Sequence, residues 1–82
     1  MLEFEIKQET ELCVVYLFGD LVFSEVLAFE NNMKKLFSSL VTQGGDFPPA
    51  VILNFEHVTV IDSSGVAALV GLHLESKHRL LV

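Results

Sequence analysis

The chain has 82 residues, 11 acidic against 5 basic side chains, and a formal net charge of −6. That balance provides no electrostatic footprint for nucleic acid or an anionic lipid surface, so neither is expected as a partner. At this length a single domain spanning residues 1–82 is expected, with a core only marginally sufficient for its size. Because 51% of the residues are hydrophobic, some apolar surface is expected to lie under a partner. No apolar run approaches the roughly 20 residues that cross a bilayer, and Met1-Leu2-Glu3-Phe4 lacks the basic start of a signal peptide. With one cysteine, Cys13, no internal disulfide can form, which fits a cytoplasmic protein.

In chain order, Leu2, Phe4 and Ile6 alternate with Glu3, Glu5 and Lys7, the period of a strand with one wet face. Gln8 to Glu11 supply a turn, and the apolar run Leu12 to Phe18, with Cys13 as a small buried hydrophobe, supplies a second strand closed by Gly19 and Asp20. A short link between two strands most simply makes an antiparallel hairpin. From Ser24, read as the N-cap, Val26, Phe29, Met33, Leu36, Phe37 and Leu40 recur at helical spacing, and Glu30 lies four residues before Lys34. Gly44-Gly45 ends that helix, and Asp46-Phe47-Pro48-Pro49 is a loop.

Ala50 to Phe55 is apolar on both faces apart from Asn54, as in a strand with neighbours on each side, and a helix between it and the preceding strand makes a parallel crossover the default. Val60-Ile61 leads into Asp62-Ser63-Ser64-Gly65 and a second helix, one face of which is marked by Val66, Leu69, Val70 and His73, with Ala67 and Ala68 allowing close approach. Arg79 to Val82 begins a further strand. The result is an α/β fold: a mixed sheet of about four strands with two main helices on one face.

The turn carries the chemistry. Asp62, Ser63 and Ser64 are residue types that accept hydrogen bonds from the unpaired N–H groups of a helix's first turn. Those N–H groups and the helix dipole favour an anion at the same place, so a hydroxyl at Ser63 or Ser64 could carry a phosphoryl group with part of its charge compensated. A hydrolase is disfavoured. Asp62 is adjacent to Ser63 and cannot also orient the far nitrogen of His57, and no G-x-S-x-G elbow is present. His73 and His78 are five apart and do not share a helical face as a metal pair would. The chain is therefore read as a non-enzyme without cofactor or metal.

The stretch Val51 to Leu72 resembles the signature of the STAS family, the sulfate transporter and anti-sigma factor antagonist domains. The likeness rests on Leu53-Asn54-Phe55, Val60-Ile61, Asp62-Ser63-Ser64-Gly65 and then Val66, Leu69 and Leu72, with Gly19-Asp20-Leu21 as a second landmark upstream. The resemblance implies a STAS-like fold and a partner-switching, anti-sigma factor antagonist-like module, with Ser63 the serine phosphorylated by a partner kinase. It places the partner surface on Asp20, Val22, Asp62, Ser63, Ser64, Gly65 and Val66. Antagonist members often carry Gly-Glu-Leu-Asp at the first landmark, whereas here the fourth position is the apolar Val22. The alternative implied is a non-phosphorylated STAS subunit held against a transporter ATPase or another larger complex. STAS domains normally continue with at least one more helix and commonly a strand; an uncovered last strand favours pairing with a second copy, and a homodimer or tight complex is expected.

Overall fold

The computed structural model describes residues 1–9, 11–43, 50–75 and 80–81. The elements run β1 (Glu3–Gln8), β2 (Leu12–Leu21), α1 (Phe23–Gln43), β3 (Ala50–Ile61), α2 (Ser63–Glu75) and β4 (Leu80–Leu81). They form one mixed sheet of order β1-β2-β3-β4: β1 pairs antiparallel with β2, while β2 with β3 and β3 with β4 are parallel. No helix among the described residues is long and apolar enough to cross a membrane.

Strand alternation decides which side chains meet the helices. The register sets Phe4 opposite Leu17, Cys13 opposite Val51 and Val15 opposite Leu53, so these residues share one face. Against that face α1 lays Phe29, Met33, Leu36 and Leu40, all buried, and α2 adds Ala68 and Leu72. Phe4 stacks on Phe29 with ring centroids 6.2 Å apart and planes 15° from parallel. The apolar stripe expected of α1 is thus its core face. On the opposite face of the sheet Val14, Tyr16, Phe18, Ile52 and Asn54 are half-buried.

Several local expectations are corrected. Ile6 shares the inward parity of Leu2 and Phe4 but is 51% exposed. β2 does not close at Gly19 and Asp20 but runs on to Leu21, and β3 continues past Phe55 to Ile61, so His57 belongs to a strand. The two strands stay paired through register shifts between Tyr16 and Phe18 and between Gly19 and Asp20. Gly19 makes the second irregularity feasible: its φ is +107°, and a Cβ there would collide with the Met1 carbonyl oxygen. His57 stacks on Phe18 across the ladder, with centroids 5.0 Å apart.

Both helices also differ in detail. α1 begins at Phe23, which makes Ser24 an exposed first-turn residue and not the N-cap. The Glu30–Lys34 pair does not form; the ion pair found among the described residues joins the Met1 amino group to Glu25 at 3.6 Å. In α2 the buried face is Gly65, Ala68 and Leu72, with Leu69 half-buried, while Val66, Val70 and His73 are exposed. The small residues turn inward because α2 starts hard against β2: a Cβ on Gly65 would collide with the Leu21 carbonyl oxygen. The Gly44–Pro49 segment, His78 and the lead into the last strand lie outside the described residues.

Three substitutions check this packing. Phe29→Ala is expected to cost about 3–5 kcal/mol, whereas Phe23→Ala, at a ring that is 78% exposed, is expected to stay within about 0.5 kcal/mol of the parent. Gly19→Ala forces a side chain into a left-handed backbone position and is expected to cost roughly 1–3 kcal/mol or more. Urea unfolding midpoints at constant m-value report all three.

Candidate functional site

The site is built where the C-terminal ends of β2 and β3 meet the N-terminal ends of α1 and α2, and Asp62 stands at its centre. Its backbone N–H donates to the Leu21 carbonyl at 3.3 Å, and its carbonyl accepts from the Val66 N–H at 3.0 Å, the first turn of α2. One carboxylate oxygen, Oδ1, accepts from the Gly65 N–H at 2.9 Å. The other, Oδ2, accepts from the Phe23 N–H at 3.0 Å, across 39 residues of sequence. Asp62 is therefore the N-cap of α2 and also caps α1, the role that the sequence suggested for Ser24.

These bonds act on the ionised form. The Gly65 N–H, then the Phe23 N–H, hold the Asp62 carboxyl below the ordinary aspartate range; partial desolvation opposes them, and the Ser64 N–H adds a smaller contribution in the same direction. Cys13 behaves in the opposite way: burial pushes its thiol up, which disfavours the thiolate and leaves a poor nucleophile.

The remaining residues singled out from the sequence fall around Asp62. Ser63 is the first residue of α2 and is exposed; Ser64 is half-buried; Gly65 is buried; Val66 is exposed. Val22 is half-buried and its carbonyl accepts the Glu25 N–H at 2.8 Å, opening α1. Asp20 sits opposite Val60 in the ladder, on the strand that leads here. His57 is held in its stack with Phe18, and no group of three or more potential metal ligands occurs among the described residues.

A groove of about 390 Å³ runs between the helices, lined by Phe23, Val26, Glu30 and Lys34 from α1 and by Ser64, Ala67, Ala68, Gly71 and Leu72 from α2. It exists because α2 presents Ser64, Ala67, Ala68 and Gly71 at three- and four-residue spacing, a strip too small to fill the space beside α1. Elsewhere on the same two helices Leu27, Val70 and Leu74 are exposed. The sequence contained one cue to this groove, the adjacent alanines of α2. The α1 wall could not be identified without the relative placement of the helices. Such an arrangement suits contact with another molecule: a concave strip of small side chains on α2, faced by Phe23, Val26 and the separate charges of Glu30 and Lys34 on α1.

Because the folded Asp62 carboxyl titrates below its ordinary value of 3.8, its contribution to stability is complete above that value. The contribution is lost as pH falls through the lower folded value. The parent is expected to lose stability more steeply than Asp62→Asn between about pH 4.5 and pH 2. Urea midpoints across that range measure it; parallel curves would contradict the double cap.

The family and fold comparisons agree with this architecture. A STAS domain model matches residues 3–80. The structure is similar to an anti-sigma factor antagonist from Mycobacterium paratuberculosis, with a TM-score of 0.78 and 16% identity over 99% of this chain and 64% of that one. It is similar to the anti-sigma factor antagonist SpoIIAA in its unphosphorylated form, with a TM-score of 0.58 and 28% identity over 89% of this chain and 62% of that one. An uncharacterized protein of the DUF3478 family from Shewanella loihica, with a SpoIIAA-like fold, gives a TM-score of 0.60 and 10% identity over 96% of this chain and 61% of that one. The chain thus spans less than two thirds of the length of each. No curated protein sequence matches it significantly. With a family match over nearly the whole length, a mixed sheet that opens on an antiparallel hairpin and continues in parallel, and the Asp62–Gly65 turn at the head of α2, the chain belongs to the STAS domain family.

Proposed function

We propose that this chain is a non-catalytic protein-interaction module of the anti-sigma factor antagonist type, working in the cytoplasm as a partner switch set by phosphorylation of Ser63. The observation that carries the reading is the placement of Ser63: exposed, first in α2, next to a carboxylate that already caps two helices, and adjacent in sequence to Ser64, which lines the groove between them. The kinship supports it, since SpoIIAA, at 28% identity, is an anti-sigma factor antagonist described in an unphosphorylated form. The fitting partner is a serine kinase that is also an anti-sigma factor. In the modification step the γ-phosphoryl group of a nucleoside triphosphate passes to Ser63 Oγ. The new O–P bond forms as the anhydride bond breaks, the hydroxyl proton goes to a base on the kinase, and the nucleoside diphosphate leaves.

The phosphate adds about −1.5 to −2 charges at the contact surface, enough to change affinity without unfolding the domain. Asp20, Val22, Asp62, Ser64, Gly65 and Val66 form the surrounding contact surface in this reading. The unit that carries it is the single domain formed by residues 1–82, and a second copy is a further candidate partner.

A second reading is favoured by one particular observation. Val22 stands where antagonists often carry an acid, and Phe23 and Leu27 on α1 and Val66, Val70 and Leu74 on α2 are all exposed. Such an apolar surface suits a lasting contact with a larger assembly, such as a transporter ATPase, in which no phosphate takes part.

Two outcomes separate the readings. Incubation with an anti-sigma-type serine kinase and nucleoside triphosphate is expected to add one phosphoryl group to the parent and none to Ser63→Ala, read by mass spectrometry. The phosphorylated chain is expected to bind that kinase at least about tenfold more weakly, a change of about 1.4 kcal/mol in binding. Label that survives in Ser63→Ala rejects the site, and an unlabelled chain that co-purifies with a transporter subunit supports the second reading.

A further inference from the structure

The geometry points to Asp62 as the residue through which a phosphoryl group on Ser63 reaches α1, by giving up the Phe23 N–H and loosening the α1 wall of the groove. This rests on Ser63 as the phosphate acceptor. The first-turn N–H groups of α2 are the donors nearest to Ser63, and one of them, Gly65 N–H, is held by Asp62 Oδ1. A dianion on the neighbouring residue competes for those donors and repels the carboxylate.

Asp62 cannot withdraw from α2 alone. Its second oxygen holds the Phe23 N–H at 3.0 Å, so a shift of the carboxylate changes both bonds together. Phe23 opens α1, and Phe23 and Val26 line the groove opposite Ser64, Ala67 and Ala68. The modification is therefore read at a surface on a different element from the one that carries it. This also gives the acid a specific role. A carboxylate has two acceptor oxygens, one for each helix, whereas an asparagine has one acceptor oxygen and an NH2 group that repels an N–H. Asp62 is a positioning residue here, and its effect is exerted through Phe23.

The test separates this coupling from the kinase reaction. Phosphoserine is incorporated at position 63 during synthesis, so no kinase is needed, and amide hydrogen exchange at Phe23 is followed by NMR, with Phe29 in the middle of α1 as reference. Loss of a cap is expected to speed exchange at Phe23 about fivefold relative to Phe29. In Asp62→Asn, Phe23 is expected to exchange faster from the outset, and phosphoserine is expected to add less than half of the factor seen in the parent, the non-additivity of coupled groups. An increase of less than about threefold in the parent overturns the coupling, as does an equal factor in both backgrounds. Failure of a kinase to label Ser63 would reject the proposed switch and leave this measurement standing, while an unmoved Phe23 would reject the coupling and leave the labelling result intact.

Discussion

Each oxygen of the Asp62 carboxylate is committed to a different helix, and the arrangement of the whole upper edge of the domain follows from that division. A helix start leaves N–H groups without intrahelical partners, and two such starts placed side by side can share one acceptor that has two oxygens. One ionised side chain is that acceptor, at 2.9 Å to Gly65 and 3.0 Å to Phe23. Its own backbone ties the same point to the end of β2 through Leu21. Two strands and two helices therefore converge on a single residue, and the absence of a side chain at Gly65 lets α2 come close enough to β2 for the bonds to form.

The groove is a consequence of the same constraint. With their N-terminal ends fixed to a common acceptor, α1 and α2 start together, and the space between them depends on what each presents to the other. α2 presents serine, alanine and glycine, while the larger Phe23, Val26, Glu30 and Lys34 stand on α1. The apolar groups that would ordinarily close such a gap, Val66, Val70 and Leu74, are turned outward. The domain thus keeps its apolar surface available beside the exposed serine, at some cost in core size for a chain of 82 residues.

Much of the frame was legible in the chain because one face of each element differs from the other. Alternation in Leu2 to Lys7 and the three- and four-residue spacing from Val26 to Leu40 are strong periodic signals, and both correspond to the observed core faces apart from Ile6. The ends of β2 and β3 were not legible. Gly19-Asp20 has the composition of a strand end and Glu56-His57 interrupts the apolar run, yet pairing of Gly19 with Val58, Asp20 with Val60 and Phe18 with His57 carries both strands on. The face of α2 was misread for a different reason: Val66 to Val70 is apolar on every side, so periodicity selects no direction, and the choice is made by the steric demand at Gly65 and Leu21. The serine turn was legible as a cap; its link to Phe23 was not, since nothing local connects residues 39 apart.

That separation also has a bearing on how the chain reaches its fold. The central ladder joins Leu12 to Ala50 and Leu21 to Ile61, and the Phe23–Asp62 bond closes a span of the same order, so the decisive contacts are all distant in sequence. Local pieces, the β1–β2 hairpin and the body of α1, can form early, but the first turn of α1 has no acceptor until β3 has docked in parallel and delivered the turn after it. During synthesis this means that the N-terminal half emerges from the ribosome with an uncapped helix and an unpaired β2 edge. β3 satisfies the edge as it pairs with β2 and brings Asp62 to the open helix start, so the domain closes late and as a unit.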